Sequence, residues 1–304
     1  MLLYRYLPNV KYALDALETH ELHLSRYTDF NDPFDGSFCF SGKITSEFAA
    51  NDFLDVCSRN PKWHDFILQQ TKGHPEILKM AIDCAARRAM MDFSLYKKCA
   101  RRMRTICFAE CSRMRKEADV KMWGLYANKC RGVRIGLQVT VNNEFEEGVV
   151  DDWEDNYYYE GGIYCRRVTY ESEKVVTDSS RFKHPAELQE WLSDSSRILA
   201  LLSMKNDIWA YENEVRVFVN DEHKAIQRWK DLEFLRMPPT WAIKTIDIVS
   251  LPDEWMDSSE GKERKKAIDD IRDEIVRRHL NIELREAILM NDAYAFEYRP
   301  FSSL

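Results

Sequence analysis

The segment Ser203–Asn220, SMKNDIWAYENEVRVFVN, decides how the rest of the chain is interpreted. In its second half, valines alternate with charged residues, which predicts a strand with one buried face. The predicted faces are Val215, Val217 and Val219 on one side, and Glu212, Glu214, Arg216 and Phe218 on the other. A charged second face fits either of two situations. It belongs to an edge strand whose Glu–Arg pair aids solubility, or to an active site built on an E-x-E pair.

The composition is that of a folded protein. The 304 residues are 45% hydrophobic and 12% aromatic, which is ample for a buried core and excludes a disordered chain. A net charge of −7 argues against broad, non-specific binding to nucleic acids, although a local basic groove stays possible. No run approaches the 18 apolar residues of a membrane span, so we expect no membrane partner.

The cysteines and the first residues indicate the cellular compartment in which we expect the protein. Eight cysteines are scattered without a C-x-x-C pair, and no histidines stand around them at zinc-finger spacing. The opening MLLYRYLP lacks the charged and apolar regions of a signal peptide. We therefore expect reduced thiols, a cytoplasmic protein and no bound metal.

The order of elements predicts an α+β fold. Residues 2–25 read as strand, helix and strand, whereas residues 44–104 are helical in period with no convincing strand. The sequence predicts a charged amphipathic helix over 260–280, followed by a hairpin. Because the strands rarely alternate with single helices, we expect a mixed, mostly antiparallel sheet. The prediction is one domain, 1–304, with a helical insertion at about 44–104 and a C-terminal helix plus hairpin.

The end of the predicted insertion is the most basic part of the chain. Its basic residues are Arg87, Arg88, Lys97, Lys98, Arg101, Arg102 and Arg104. Such a run is either a solvated helix face or the place where an anionic partner docks.

A rigid polar loop, FNDPFD at 30–35, follows the second predicted strand. Asn31 and Asp32 can close Asx turns and Pro33 stiffens the bend, so the loop is suited to hold a ligand. Asp32 and Asp35 are also cation ligands by type, which leaves open a metal-dependent nuclease that uses them with the glutamates. No P-loop, G-x-G-x-x-G, G-x-S-x-G or H-E-x-x-H motif is present.

Several motifs together resemble the bacterial family catalogued as domain of unknown function 2971. In chain order they are FNDPFD (30–35), Cys107-Phe108, MWGLYA (122–127), GVRIG (132–136), and Lys205 with WAYENEVR (209–216). The chain departs from the family after the strand that ends near Val249, where Ser250-Leu251-Pro252 stands in place of an expected glycine. The resemblance implies little about function.

A second resemblance, to ADP-ribosyltransferases, concerns chemistry. In that family a strand with His or Arg, a helix and a second strand are followed much later by a strand with a catalytic Glu, commonly in an E-x-E pair. The matching positions here are Arg5 for the first, Ser25 or Tyr27 for the second, and Glu212-Asn213-Glu214 for the third.

The resemblance implies roles for these residues. Glu214 would stabilise the positive charge on ribose when the nicotinamide bond breaks, and Glu212 would take the proton from the nucleophile. Arg5 would hold a diphosphate or ribose oxygen. Further expected contacts with NAD are Ser25, Tyr27, Asn31, Tyr126, Trp209 and Tyr211.

We therefore expect an NAD-using, ADP-ribosyltransferase-like enzyme that transfers ADP-ribose to a protein or nucleic acid, or hydrolyses NAD. A toxin or an anti-phage defence effector would suit this chemistry. The alternative is a non-catalytic module whose basic helical insertion recognises a nucleic acid or an acidic protein.

Overall fold

The fold was analysed in a computed structural model. It describes residues 1–30, 32, 35, 38–41, 45–70, 72, 74, 76, 78–80, 82–84, 94–139, 157–160, 163–173, 175–290 and 293–301.

Strands and helices follow each other in an order close to the predicted one. The strands are β1 Leu2–Leu7, β2 Glu21–Arg26, β3 Phe38–Ser41, β4 Met103–Glu110, β5 Val133–Gln138, β6 Tyr157–Glu160, β7 Ile163–Arg167, β8 Thr169–Glu171, β9 Val175–Asp178, β10 Met204–Asn206, β11 Glu214–Asn220, β12 Ile226–Trp229, β13 Leu232–Arg236, β14 Ala242–Val249, β15 Glu283–Leu289 and β16 Phe296–Pro300. The α-helices are α1 Lys11–Thr19, α2 Ser46–Arg59, α3 Pro61–Gln70, α4 Ser94–Arg101, α5 Lys116–Tyr126, α6 Pro185–Ser193, α7 Ser195–Leu201, α8 Asp253–Met256 and α9 Ser259–Arg277.

The chain divides into two compact units. A sheet unit comprises 1–30, 103–170 and 207–304, and a helical unit comprises 31–102 and 171–206. In the helical unit, α4 packs on α6 and α7, and β3 pairs with β9 in parallel. The unit therefore includes a second chain segment besides the predicted insertion. Whether the whole chain is one domain stays a prediction.

The sheet unit is built on one mostly antiparallel sheet. Its strand order is β12-β13-β2-β4-β1-β5-β14-β15-β16, and β11 pairs with β4 and with β7, which also pairs with β6. Within this sheet β14 and β15 run parallel, and β15 and β16 form a hairpin after α9. The predicted α+β class, the mostly antiparallel sheet and the C-terminal helix plus hairpin are confirmed.

Alternation along β1 separates the two faces of this sheet. Leu3 and Leu7 join the apolar core that also contains residues of α1 and α9, whereas Tyr4 and Tyr6 pack with Trp123 of α5. Because successive side chains of a strand point to opposite faces, α1 and α9 cover one face and α5 covers the other. We call the second one the α5 face.

A buried ionic network, the Arg134 cluster, lies on the α5 face. The Arg134 guanidinium donates from Nε to Asp247 Oδ2 at 2.7 Å and from Nη1 to Asp119 Oδ1 at 2.9 Å. Arg285 Nε donates to the other oxygen of Asp247 at 2.6 Å. The hydroxyls of Tyr6 and Tyr298 donate to Asp119. Each of these carboxylates is therefore matched by donors from other elements.

In the described part of the chain, no helix is long and apolar enough to span a membrane.

Candidate carboxylate site

The charged strand β11 lies inside the sheet and is not an edge strand. It pairs with β4 on one side and β7 on the other, and its residues from Glu214 to Val219 are buried. The interpretation as an edge strand with a solvated Glu–Arg pair is therefore wrong. A central strand that buries charge on one face needs another reason for it.

The strand begins at Glu214, so only one glutamate of the E-x-E pair belongs to it. Glu212 ends a 3-10 helix, Asp207–Glu212, and Asn213 has a left-handed φ of 44°. Asparagine tolerates this conformation better than most residues. Its carbonyl accepts the Glu110 N–H at 2.9 Å, which fixes the bend. The expectation that both carboxylates project from one strand is therefore corrected.

Glu214 forms a buried, two-point ion pair with Arg216. The guanidinium donates from Nε to Oε1 at 2.7 Å and from Nη2 to Oε2 at 3.1 Å, and the residues are 5% and 1% exposed. The Phe30 ring lies 4.8 Å from the guanidinium carbon. Such charge-assisted bonds fix the plane of the carboxylate and favour its ionised form.

Each glutamate is hydrogen-bonded to a tyrosine hydroxyl. The Tyr126 hydroxyl donates to Glu212 Oε1 at 2.6 Å, and the Glu214 N–H donates to the Tyr170 hydroxyl oxygen at 2.8 Å. Burial raises the pKa of Tyr170, and the charges of Glu214 and Glu212 raise it further. Both carboxylates thus lie within electrostatic range of one phenol.

Next to the carboxylates lies a half-exposed aromatic shelf. It consists of Trp209 and Tyr211, whose ring centres are 6.2 Å apart. Lys121 of α5 is exposed, and its Nζ lies 4.9 Å from the centre of the Tyr211 ring. A shelf of this kind offers stacking area beside a cation.

Arg5 does not converge with the glutamates. In the sheet it pairs with Ile135 of the apolar core, whereas Tyr4 pairs with Ala109, which in turn pairs with Glu214. Since paired residues share a face, Glu214 is on the α5 face and Arg5 is on the other. Arg5 donates instead to the His23 carbonyl at 2.7 Å, and burial lowers its pKa to about 10.

The other expected contacts divide into two groups. Ser25 is on the α5 face, but it pairs with Thr105, which is opposite Phe218. Phe218 is four residues beyond Glu214, or roughly 13 Å along the strand. Tyr27 lies two residues beyond Ser25, in a short 3-10 turn. Asn31 lies outside the described residues. The structure thus brings Tyr126, Trp209 and Tyr211 to the glutamates, but not Ser25.

Sequence reasoning missed Tyr170 and Lys121. Tyr170 lies in the short strand β8 at the edge of a polar stretch, so nothing in its neighbours singles it out. Lys121 is one of several charged residues on a helix, and only its position beside Tyr211 distinguishes it. Both depend on contacts between residues far apart in sequence.

The basic patch of the alternative interpretation is smaller than predicted. Arg104 is 7% exposed and bonds the buried Glu233, so it belongs to the core of the sheet unit. Lys97, Lys98 and Arg101 are exposed, whereas Arg87 and Arg88 lie outside the described residues. Within the described residues, no group of His, Cys, Asp and Glu is arranged to hold a metal ion.

The site combines an ionised, immobilised carboxylate with a second carboxylate that is bonded to a phenol. The first can stabilise a positive charge that develops beside it. The second can exchange a proton with a hydroxyl group within hydrogen-bond distance. The aromatic shelf can bind a flat ring.

Comparison with known proteins addresses only part of the chain. Residues 122–217 match the family described as "Protein of unknown function (DUF2971)". The segment contains Tyr126, Tyr170, Glu212 and the first four residues of β11, whereas FNDPFD and Cys107-Phe108 fall outside it. No curated protein and no solved structure matches the chain. The resemblance to ADP-ribosyltransferases stays a prediction, and over residues 122–217 this chain resembles DUF2971.

Proposed function

We propose that the chain is an NAD-using, ADP-ribosyltransferase-like enzyme whose active site is built on Glu212 and Glu214. The observation that carries the proposal is the pair of buried carboxylates, Glu212 bonded to the Tyr126 hydroxyl and Glu214 bonded to Arg216, close in the chain to the half-exposed aromatic shelf. Burying two carboxylates costs free energy, so their presence together favours a functional role.

The residues of the α5 face suit the parts of NAD. Carboxylates accept hydrogen bonds from ribose hydroxyls, and the rings of Trp209 and Tyr211 match a nicotinamide in size and shape. Lys121, beside Tyr211, is the cation that we assign to the diphosphate in place of Arg5. This reassignment follows from the position of Arg5 on the opposite face.

NAD would supply a weak bond between nicotinamide and ribose, whose cleavage leaves positive charge on the sugar. Glu214, held ionised by Arg216, is a fixed negative charge that stabilises this change without reorganisation. Glu212 takes the proton of the attacking hydroxyl, which is water in hydrolysis or a side chain or nucleic-acid hydroxyl in transfer. Tyr126 orients the carboxylate through its 2.6 Å bond.

A toxin or anti-phage role is proposed on the same basis, since removal of NAD or modification of a macromolecule would harm a cell.

Two variants test the proposal, so that the test does not depend on one substitution that could unfold the protein. Glu212→Gln keeps an oxygen for the Tyr126 hydroxyl, and Glu214→Gln/Arg216→Met removes both members of the buried pair together. We expect each to lower nicotinamide release from NAD by about a hundredfold or more, the usual contribution of one acid–base or electrostatic group. The control is Glu254→Gln, an exposed glutamate of α8.

Thermal shift with NAD and with oligonucleotides separates this proposal from the binding module. Stabilisation by NAD that is lost in the double variant supports the enzyme. Stabilisation by oligonucleotides alone, lost when Lys97 and Lys98 are changed to Glu, would overturn it in favour of the module. Unchanged nicotinamide release by both glutamate variants would also overturn the role assignment.

A further inference from the structure

A second candidate site lies in the sheet unit, away from the carboxylates. It is a cavity of about 740 Å³ between the first turns of α1 and the first half of α9, which we call the α1–α9 groove. Its volume is within the range of small-ligand pockets. None of its lining residues belongs to the carboxylate site.

The two helices that border the groove run parallel. Near their C-terminal ends, Arg278 Nη1 donates to the Leu17 carbonyl at 2.7 Å, and its Nη2 lies 3.0 Å from a ring nitrogen of His20. At the other end, Lys11 of α1 and Lys266 of α9 both line the groove. The first turn of α1 therefore lies at the groove, where the positive end of its dipole favours an anion.

Arg264 provides the second observation, because it is a buried cation facing this groove without a carboxylate partner among the described residues. It is 7% exposed. Its Nε donates to the Arg131 carbonyl at 2.9 Å and its Nη2 to the Val249 carbonyl at 2.7 Å. Among the described residues, its Nη1 contacts only the Met256 sulfur, at 3.8 Å. Main-chain carbonyls satisfy two of the nitrogens, but they do not neutralise the positive charge. An anion in the groove would neutralise it.

Trp255 positions a second guanidinium beside the first. The guanidinium carbons of Arg131 and Arg264 lie 5.3 Å and 5.9 Å from the centre of its ring. Burial lowers the pKa of Arg264 to about 10, so it still carries its charge at neutral pH. The planar fork of arginine matches the oxygens of a phosphate.

The loop that follows α5 brings Asn128 to the groove in a strained conformation. Asn128, Lys129 and Cys130 have left-handed φ values of 49°, 55° and 69° in succession. Hydrogen bonds from Lys129 N to the Gly124 carbonyl and from Cys130 N to the Trp123 carbonyl, each 3.2 Å long, hold this turn. Strain of this kind persists where the surroundings enforce it and is frequent at ligand sites.

Three carboxylates also line the groove and reduce its positive potential. Glu260 pairs with Arg131 at 3.5 Å across an exposed contact, and Glu263 and Asp270 are exposed. Such exposed pairs are weak and exchange readily. The four cationic side chains and the start of α1 outnumber these three carboxylates.

We propose that the α1–α9 groove binds the phosphate group of a small molecule, through Arg264 and Arg131 at its base and Lys11 and Lys266 at its rim. The group comes either from inorganic phosphate or from a phosphate monoester such as a nucleotide.

Calorimetric titration of the full chain with inorganic phosphate and with AMP tests this. The decisive variant is Lys11→Glu/Lys266→Glu, because both lysines are exposed and a glutamate in the first turn of α1 does not weaken that helix. The matched control is Lys262→Glu/Lys265→Glu, which makes the same charge change on exposed positions of α9 outside the groove.

We expect the decisive variant to weaken phosphate binding about tenfold or more, and the control by less than about threefold. Glu260→Gln should strengthen binding about twofold, because it frees Arg131. Tighter binding of AMP identifies an organic phosphate, and equal binding identifies the bare group. Absence of binding up to about 10 mM, or equal losses in both lysine pairs, would overturn the proposal.

Discussion

Two ionic clusters share the α5 face of the sheet, and they differ in how far their bonds reach along the chain. In the Arg134 cluster, bonds join β5 to β14, β5 to α5 and β14 to β15. In the carboxylate site, Glu214 and Arg216 are two residues apart on one strand. The first cluster ties four elements together. The second fixes the orientation of the Glu214 carboxylate, and hydrogen bonds from Tyr126 to Glu212 and from the Glu214 N–H to Tyr170 join the site to other elements.

This difference separates a structural cluster from a candidate active site. Bonds between distant elements can offset the cost of burying charge by fixing tertiary packing. The burial of the Glu214–Arg216 pair also costs free energy, and we propose that chemistry at Glu212 and Glu214 is the reason for it. The following predictions examine this difference.

The largest expected effect is on the Arg134 cluster. Arg134→Met leaves the buried Asp119 without a guanidinium and Asp247 with only that of Arg285, so the free energy of unfolding should fall by about 3–5 kcal/mol. Urea denaturation measures this. Arg272→Met, which removes an exposed pair with Asp269 at 3.3 Å, is the control and should cost less than about 1 kcal/mol. Equal effects of the two variants would contradict the structural role.

The Glu214–Arg216 pair should behave differently when both members are removed. Glu214→Gln alone leaves Arg216 buried and should cost about 3 kcal/mol, whereas Glu214→Gln/Arg216→Met should come within about 1 kcal/mol of the parent. In contrast, Arg134→Met/Asp247→Asn should stay strongly destabilised, because Asp119 loses its guanidinium and Arg285 loses its buried carboxylate. If both double variants recover stability, the two clusters do not differ as described.

A glycine beneath the Arg134 cluster provides a steric test. A Cβ at Gly136 would lie 2.2 Å from Thr245 Oγ1 and 3.2 Å from the Tyr4 ring, so Gly136→Ala should cost about 1–3 kcal/mol by overpacking. Gly124→Ala meets no atom within 4 Å on α5 and should stabilise the helix by about 0.5–1 kcal/mol. Thermal unfolding of both variants checks the opposite signs, and equal signs would refute this packing.

The smallest expected effect is in the acid dependence of stability. Burial raises the pKa of Glu110, but the hydrogen bonds and charge of Arg167 bring it below its ordinary value of 4.5. A carboxyl group whose pKa is lower in the folded state contributes stability above its unfolded pKa, and this is lost as the pH falls through the folded pKa. In Glu110→Gln the free energy of unfolding should therefore decrease less steeply as the pH falls below 4.5. The same slope in variant and parent would contradict this.

The sequence predicted the strands better than it predicted what they bring together. Alternation identified β11, because the valines occupy every second position of a pleated strand. It did not show that Asn213 adopts a left-handed conformation and turns Glu212 off the strand. Nor did it show that Arg5 and Glu214 are on opposite faces, since this depends on the pairing of β1, β4 and β11. Tyr170 and Lys121 likewise became candidates only through contacts between distant residues.

A crystal structure with NAD bound tests the central claim most directly. The account predicts the nicotinamide on the shelf of Trp209 and Tyr211, with the adjoining ribose against Glu214 and Glu212. NAD bound only at another place on the chain, or no NAD at saturating concentration, would contradict it.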